Sequence, residues 1–226
     1  MGIAQLDEVN VRIEEASKRF GPISADAPKP KLIAVSKTFD AQDIEPVLQA
    51  GQKHFGENRV QEAQGKWPAL KEQFGDITLH LIGPLQTNKV KDAVALFDVI
   101  HSVDREKLAR ALAKEFAATG RDLPIFIQVN IGEEPQKAGI APKETIEFVK
   151  SCRETHGLDV RGLMCIPPVG VPAAPYFAQL AQLAKAANLR ELSMGMSADF
   201  DMAVEMGATY VRVGSAIFGH RDYSPH

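Results

Sequence analysis

At 226 residues, 45% of them apolar and 24% charged, the chain has the make-up of an ordinary globular protein, with room for one large α/β domain or two small ones. A formal charge of −3 argues against a nucleic-acid-binding surface. No apolar run approaches the roughly 20 residues that cross a bilayer, and residues 1–8 lack the basic and apolar regions of a secretory signal, so a cytoplasmic location without a membrane partner is expected.

Ile3, Leu6, Val9, Val11, Ile13 and Ala16 form an apolar face that predicts a helix over residues 3–19. Gly21 to Lys31 carries three prolines and reads as a connector. The first strand, Leu32–Ser36, runs straight into Lys37, and a helix from Asp40 to Ala50 follows, with Gly51 placed to end it. Further strands are predicted at residues 54–56, 79–82, 99–102, 125–130, 160–164, 192–193 and 210–213. Helices are predicted between them at residues 59–74, 88–96, 105–118, 142–155, 176–188 and 199–206. Eight strands, nearly all followed by a helix, imply a parallel sheet closed into a single (β/α)8 TIM barrel with an extra N-terminal helix. A doubly wound open sheet would want a Gly-x-Gly-x-x-Gly after an early strand, and none is present. One domain over residues 1–226 is expected, with helix and connector at 1–30 and the barrel at 31–219.

Active sites of such barrels lie at the carboxyl ends of the strands, with phosphate often held by the loops after strands seven and eight. Ser193-Met-Gly195-Met-Ser197 follows strand seven, and Gly214-Ser215-Ala-Ile-Phe-Gly219 follows strand eight. Each offers glycine for close backbone approach, a hydroxyl, and the free N–H groups of a helix start. Either alone also reads as ordinary capping; together they favour a phosphate site. A lysine at the position of Lys37 reads, by itself, first as one that snorkels to water. Closure sets strand eight beside strand one, with ends about 5 Å apart. A ligand with its phosphate on Gly214 and Ser215 then extends towards Lys37. A phosphorylated aldehyde there can form a Schiff base, and pyridoxal 5′-phosphate (PLP) has that shape. Arg212 is in reach of the pyridine nitrogen, and because arginine keeps its proton, the ring would be a weaker electron sink. A salt bridge is the other use for Arg212.

Several blocks carry a resemblance. They are Leu32–Thr38, Phe55-Gly-Glu57-Asn58-Arg-Val-Gln61-Glu62, His80-Leu-Ile-Gly83-Pro84-Leu-Gln86-Thr-Asn88-Lys89, His101-Ser-Val-Asp104, Gly162-Leu-Met164, Leu192–Ser197 and Val211–Gly219. Spanning about residues 30 to 223, they resemble the pyridoxal phosphate homeostasis proteins, single PLP-binding barrels of fold type III akin to the alanine racemase N-terminal domain. The resemblance implies that Lys37 is the internal aldimine lysine and that Ser197, Gly214 and Ser215 hold the phosphate. It also implies that Arg212 faces the pyridine nitrogen and that Asn58 neighbours the ring. Ala198 stands where many relatives carry glycine or aspartate.

Weaker constellations remain. His54, His80 and His101 fall near strands two to four, but no His-x-His pair or carboxylate completes a metal site, and His54 and His80 read as strand beginnings, the wrong end. Gln86, Asn88 and Lys89 either cap a helix or line the mouth; Arg221 and Tyr223 either cover it or end the chain. Cys152 and Cys165 read as reduced, buried thiols. The resemblance implies PLP homeostasis without established turnover, with PLP-dependent apoenzymes as recipients and a monomer as the working form. A fold-type III racemase or decarboxylase is the alternative. Racemisation needs a second acid/base opposite the lysine, and Tyr176, Tyr210 and Tyr223 stand in no recognisable catalytic context. A lysine aldolase acting on sugar phosphates would explain Lys37 and the phosphate loops alone.

Overall fold

The computed structural model describes residues 2–20 and 29–219; most of the connector, together with Arg221 and Tyr223, lies outside them. Helix α1 (Ile3–Phe20) buries Leu6, Val9, Ile13 and Ala16, spaced three or four apart as a helical stripe requires. Val11, counted with that face from sequence, is off the stripe and 53% exposed. The alternation then runs β1 (Lys31–Val35), α2 (Ala41–Gln49), β2 (His54–Glu57), α3 (Val60–Gln64), α4 (Trp67–Phe74), β3 (Thr78–Leu81), α5 (Val90–Leu96) and β4 (Val99–Val103). It continues through α6 (Glu106–Thr119), β5 (Ile125–Val129), α7 (Thr145–Lys150), β6 (Val160–Cys165), α8 (Ala174–Ala186), β7 (Glu191–Ser193), α9 (Phe200–Glu205), β8 (Tyr210–Val213) and α10 (Ser215–Phe218).

The eight strands pair in parallel in chain order, and β8 closes on β1 with Ile33 opposite Arg212 and Ala34 opposite Val213. Parallel strands covered on both faces read as near-continuous apolar runs, which is why Leu32–Val35 and Ile125–Val129 are so uniform. Alternate side chains point inward. Ile33, Val99, Phe126, Met164 and Tyr210 fill the barrel, while a larger apolar layer joins its outer face to the helices. Helix α1 is tied to α9 by the Arg12–Asp201 and Arg19–Glu205 ion pairs, and the Arg12 guanidinium lies 4.4 Å from the Phe200 ring centroid. No described helix is long and apolar enough to cross a membrane.

Two predicted helices are interrupted. Residues 59–74 divide into α3 and α4 at Gly65–Lys66, where the poor helix former Gly65 and a proline near the start of α4 favour a break. Residues 142–155 open as a 3-10 turn, Pro142–Glu144, and end as a π turn, Ser151–Thr155.

Candidate functional site

Lys37 follows the last inward-facing residues of β1, Ile33 and Val35, in the same parity. It lies in a turn beyond the strand and is exposed, so it carries no desolvation cost there. The buried lysine is Lys66. Its Nζ donates to the carbonyls of Ser36 and Phe39, both at 2.9 Å, the two residues that bracket Lys37 and Thr38. It also pairs with Glu57 Oε1 at 3.0 Å and Glu62 Oε1 at 3.2 Å. Thr38 holds a left-handed φ of 68°, a strain of about 1–3 kcal/mol for a β-branched residue, and donates its N–H to the Glu62 carboxylate. Glu57 Oε1 further accepts from Ser36 Oγ at 2.6 Å and Trp67 Nε1 at 2.9 Å. Burial pushes the Glu57 carboxyl up from its ordinary range, against the pull of Lys66, Ser36 and Trp67. This clamp was not read from the sequence. Its signals were the helix break at Gly65 and the Glu62/Lys66 spacing.

At the junction of β1 and β8, Gly214 lies against Val35. A Cβ on Gly214 would come within 3.3 Å of both the Val35 Cβ and its carbonyl oxygen, so a side chain there would push the two strand ends apart. The N–H groups of Gly214 and Ala216 converge on Ser197 Oγ at 3.2 and 3.4 Å, tying the loop after β7 to the start of α10. Ser215, the first residue of α10, is exposed. Asn58 follows β2, whose Gly56 pairs with Val35, and is half-buried. Gly83, in the loop after β3, packs against it: a Cβ there would lie 2.3 Å from the Asn58 carbonyl oxygen. Residues Thr87–Lys89 form a single 3-10 turn that leads into α5.

Arg212 is 4% exposed on the inward side of β8. Nη1 donates to Ser193 Oγ at 2.8 Å and Nη2 to the Cys165 carbonyl at 2.8 Å. Among the described residues it joins no ion pair, unlike the salt bridge weighed from sequence. Burial lowers its pKa from the ordinary value, though arginine keeps its proton. Burial drives the neighbouring Cys165 thiol up to about 12, which makes it an inert apolar neighbour. Behind Ser193, the imidazoles of His101, His80 and His54 follow one another by hydrogen bonds through the barrel interior. His80, expected at a strand beginning, is the third of the four residues of β3 and is fully buried.

The alanine racemase N-terminal domain model matches residues 13–222. The pyridoxal phosphate homeostasis protein of Vibrio cholerae serotype O1 is 39% identical over 232 residues, covering 97% of this chain and 96% of the relative. The chain belongs to the pyridoxal phosphate homeostasis protein family. PipY of Synechococcus elongatus PCC7942, solved without PLP, is 39% identical and superposes with a TM-score of 0.82 over 97% of this chain and 100% of its own. The same protein with PLP bound gives 40% identity and a TM-score of 0.78 over 92% of this chain and 98% of its own.

In this member of the pyridoxal phosphate homeostasis protein family, Lys37, Asn58, Ser197, Gly214 and Ser215 come to the carboxyl rim, and Arg212 lies just beneath. The core histidines give the fold a pH dependence. Burial is the first cause that lowers His80, His101 and His54 below 6.5; Arg212 adds to it at His101, Lys31 at His54, and neighbouring imidazoles with Lys31 and Lys71 at His80, while Asp76 opposes it at His54. Below 6.5 the unfolded chain takes up protons that the native state refuses, so stability falls as pH falls, by at most about 1.4 kcal/mol per pH unit for each histidine. Glu57 and Glu191, raised chiefly by burial, act oppositely above 4.5 and offset part of this. The urea midpoint should be level between about pH 7 and 8 and drop between about pH 6.5 and 5. A midpoint unchanged over that interval would contradict neutral histidines in the core.

Proposed function

We propose that this chain binds PLP and serves PLP homeostasis, holding the cofactor covalently through Lys37 without turnover of its own. The observation that carries the reading is the β1–β8 junction, where Gly214 against Val35 brings an anion-binding corner and a primary amine onto one rim. Support comes from the relatives' name and from PipY, which was solved with PLP bound. The donor set fits. The hydroxyls of Ser197 and Ser215 suit a phosphate, and the Gly214 and Ala216 N–H groups, which here donate to Ser197 Oγ, would turn to it when it binds. The exposed Lys37 amine suits an aldehyde, and Asn58 stands on the neighbouring strand end for contact with the ring. Arg212 presents only donors, so it would hold an unprotonated pyridine nitrogen. PLP would supply an aldehyde carbon and an electron-withdrawing ring. A ring so weakened as an electron sink suits storage better than catalysis.

A racemase gains no support from the described tyrosines. Tyr210 is buried in the barrel among His54, His80 and His101, and Tyr176 is half-buried on α8. PLP-dependent apoenzymes are the proposed recipients, and the monomer the proposed working form. The test is titration of purified protein with PLP, followed by visible absorbance, together with a screen of D- and L-amino acids for isotope exchange at Cα. A saturable spectral change without exchange is expected; robust exchange of any one amino acid would replace this reading with the racemase. Ser215→Ala should weaken PLP retention by roughly 1.5–3 kcal/mol, the worth of a charge-assisted hydrogen bond. Equilibrium dialysis checks it, and an unchanged dissociation constant would remove Ser215 from the phosphate site.

A further inference from the structure

The row of side chains behind Arg212 crosses the barrel through β8, β7, β4, β3 and β2. Arg212 Nη1 is 2.8 Å from Ser193 Oγ, and Ser193 Oγ is 2.9 Å from His101 Nδ1. His101 Nε2 is 2.9 Å from His80 Nδ1, and His80 Nε2 is 3.0 Å from His54 Nδ1. Ser193, His101 and His80 are wholly buried, while His54, at the start of β2, is half-buried. Both nitrogens of His80 and of His101 are engaged, and no atom of the row is among the buried polar atoms left without a partner. The imidazoles bond to one another rather than converge, and the described residues hold no cluster arranged for a metal ion.

The row has one consistent direction. A guanidinium only donates, so Ser193 Oγ accepts from Arg212. Among the described residues, the other partner of Ser193 Oγ is His101 Nδ1, so the hydroxyl hydrogen goes there and Nδ1 carries no proton. A neutral imidazole has one N–H, which places it on Nε2, where it donates to His80. The same step repeats from His80 to His54. Running the row in reverse would leave the Ser193 hydrogen buried without an acceptor. Charging any ring in the row is opposed by burial and by the cations that face it, Arg212 on β8, Lys31 on β1 and Lys71 on α4; Asp76, before β3, offers a counter-charge at His54 alone. The rings are pinned. His101 stacks on Phe126 with centroids 4.3 Å apart and planes 5° apart, and Tyr210 lies edge-on to it at 5.7 Å.

We infer that Ser193, His101, His80 and His54 form a one-way hydrogen-bond chain that orients Arg212, and so are positioning residues for the group facing the cofactor ring. The inference rests on the placement of Arg212 proposed above. Ser193 and the Cys165 carbonyl hold its two terminal nitrogens from behind, which leaves its remaining N–H groups for the ligand. Because direction passes from ring to ring, a change at Ser193 is felt at the far end of the row.

Nitrogen-resolved NMR of the histidines in PLP-free protein should find Nε2 protonated and Nδ1 bare in all three. A proton on His101 Nδ1 would overturn the inference. Ser193→Ala removes what sets the direction, so mixed tautomers should appear at His101, His80 and His54. The same variant loaded with PLP should release it about tenfold faster, with a shifted absorbance, as expected for one lost hydrogen bond to a charged group; Ser193→Thr, which keeps the hydroxyl, should restore both. Histidine signals and cofactor spectrum like those of the unaltered protein in Ser193→Ala would overturn the positioning role alone. If that variant does not fold, the tautomers of the unaltered chain still decide the direction. Unaltered protein that takes up no PLP would overturn the proposed function and, with it, the purpose assigned to Arg212.

Discussion

Lys37→Ala should abolish the visible absorbance that PLP gives on binding and prevent borohydride from fixing the cofactor to the chain. The exposed Lys37 amine is suited to bond covalently with an aldehyde, and Ser197, Gly214 and Ser215, proposed to hold the phosphate, carry no amine side chain to replace it. The corner proposed to hold the phosphate is untouched, so weak, reversible binding should persist. The side chain is exposed and lies outside the clamp that shapes its turn. Its removal should therefore change the unfolding free energy by no more than about 0.5 kcal/mol. That separation makes the experiment decisive. A folded Lys37→Ala protein with an unaltered spectrum would sink the assignment, and no general loss of structure could be blamed.

Lys66→Ala should do the reverse, costing about 3–5 kcal/mol of stability, the range for breaking a buried ion pair from one side. Lys66 is 9% exposed, and its ammonium reaches two carbonyls and two carboxylates. Without it, Glu57 keeps a buried carboxyl with one oxygen already lacking a partner, and Ser36 and Phe39 lose a donor. The strained φ at Thr38 then rests on Glu62 and on the turn bond from the Phe39 N–H to the Ser36 carbonyl, so capture of PLP by Lys37 should slow as well. Urea unfolding measures the first effect and stopped-flow absorbance the second. Lys66→Met combined with Glu57→Gln should recover much of the stability, because the uncompensated charge is gone. A loss below about 1 kcal/mol in Lys66→Ala would mean that the clamp contributes little beyond a surface pair.

The barrel was legible because each strand is a short apolar run bounded by turn residues and followed by a helical pattern. Eight such units leave few other ways to cover both faces of a parallel sheet. The rim was legible for a related reason: Lys37, Asn58, Ser197, Gly214 and Ser215 all fall just past predicted strand ends, and closure alone brings those ends together. Boundaries were less secure. The helix over residues 59–74 reads as continuous by periodicity, yet it breaks at Gly65–Lys66, where turning Lys66 inward satisfies two carbonyls that the helix could not.

Amino-acid order by itself therefore determined the closed barrel, the lysine after its first strand and the glycine–serine loops after its last two. Each depends on local periodicity and on the rule that strand ends meet at one rim. Only the tertiary structure decided which side chains meet inside. His101 and Ser193 are 92 residues apart, and His80 and His54 are 26 apart, yet each pair shares a hydrogen bond. Whether two inward-facing residues on different strands touch depends on the stagger between strands, which the pattern within any one strand does not carry. The same holds for Lys37. Its reach towards a ligand could be argued from sequence, but its exposure, and the buried Lys66 that holds its turn, follow from packing between β1, β2 and α4.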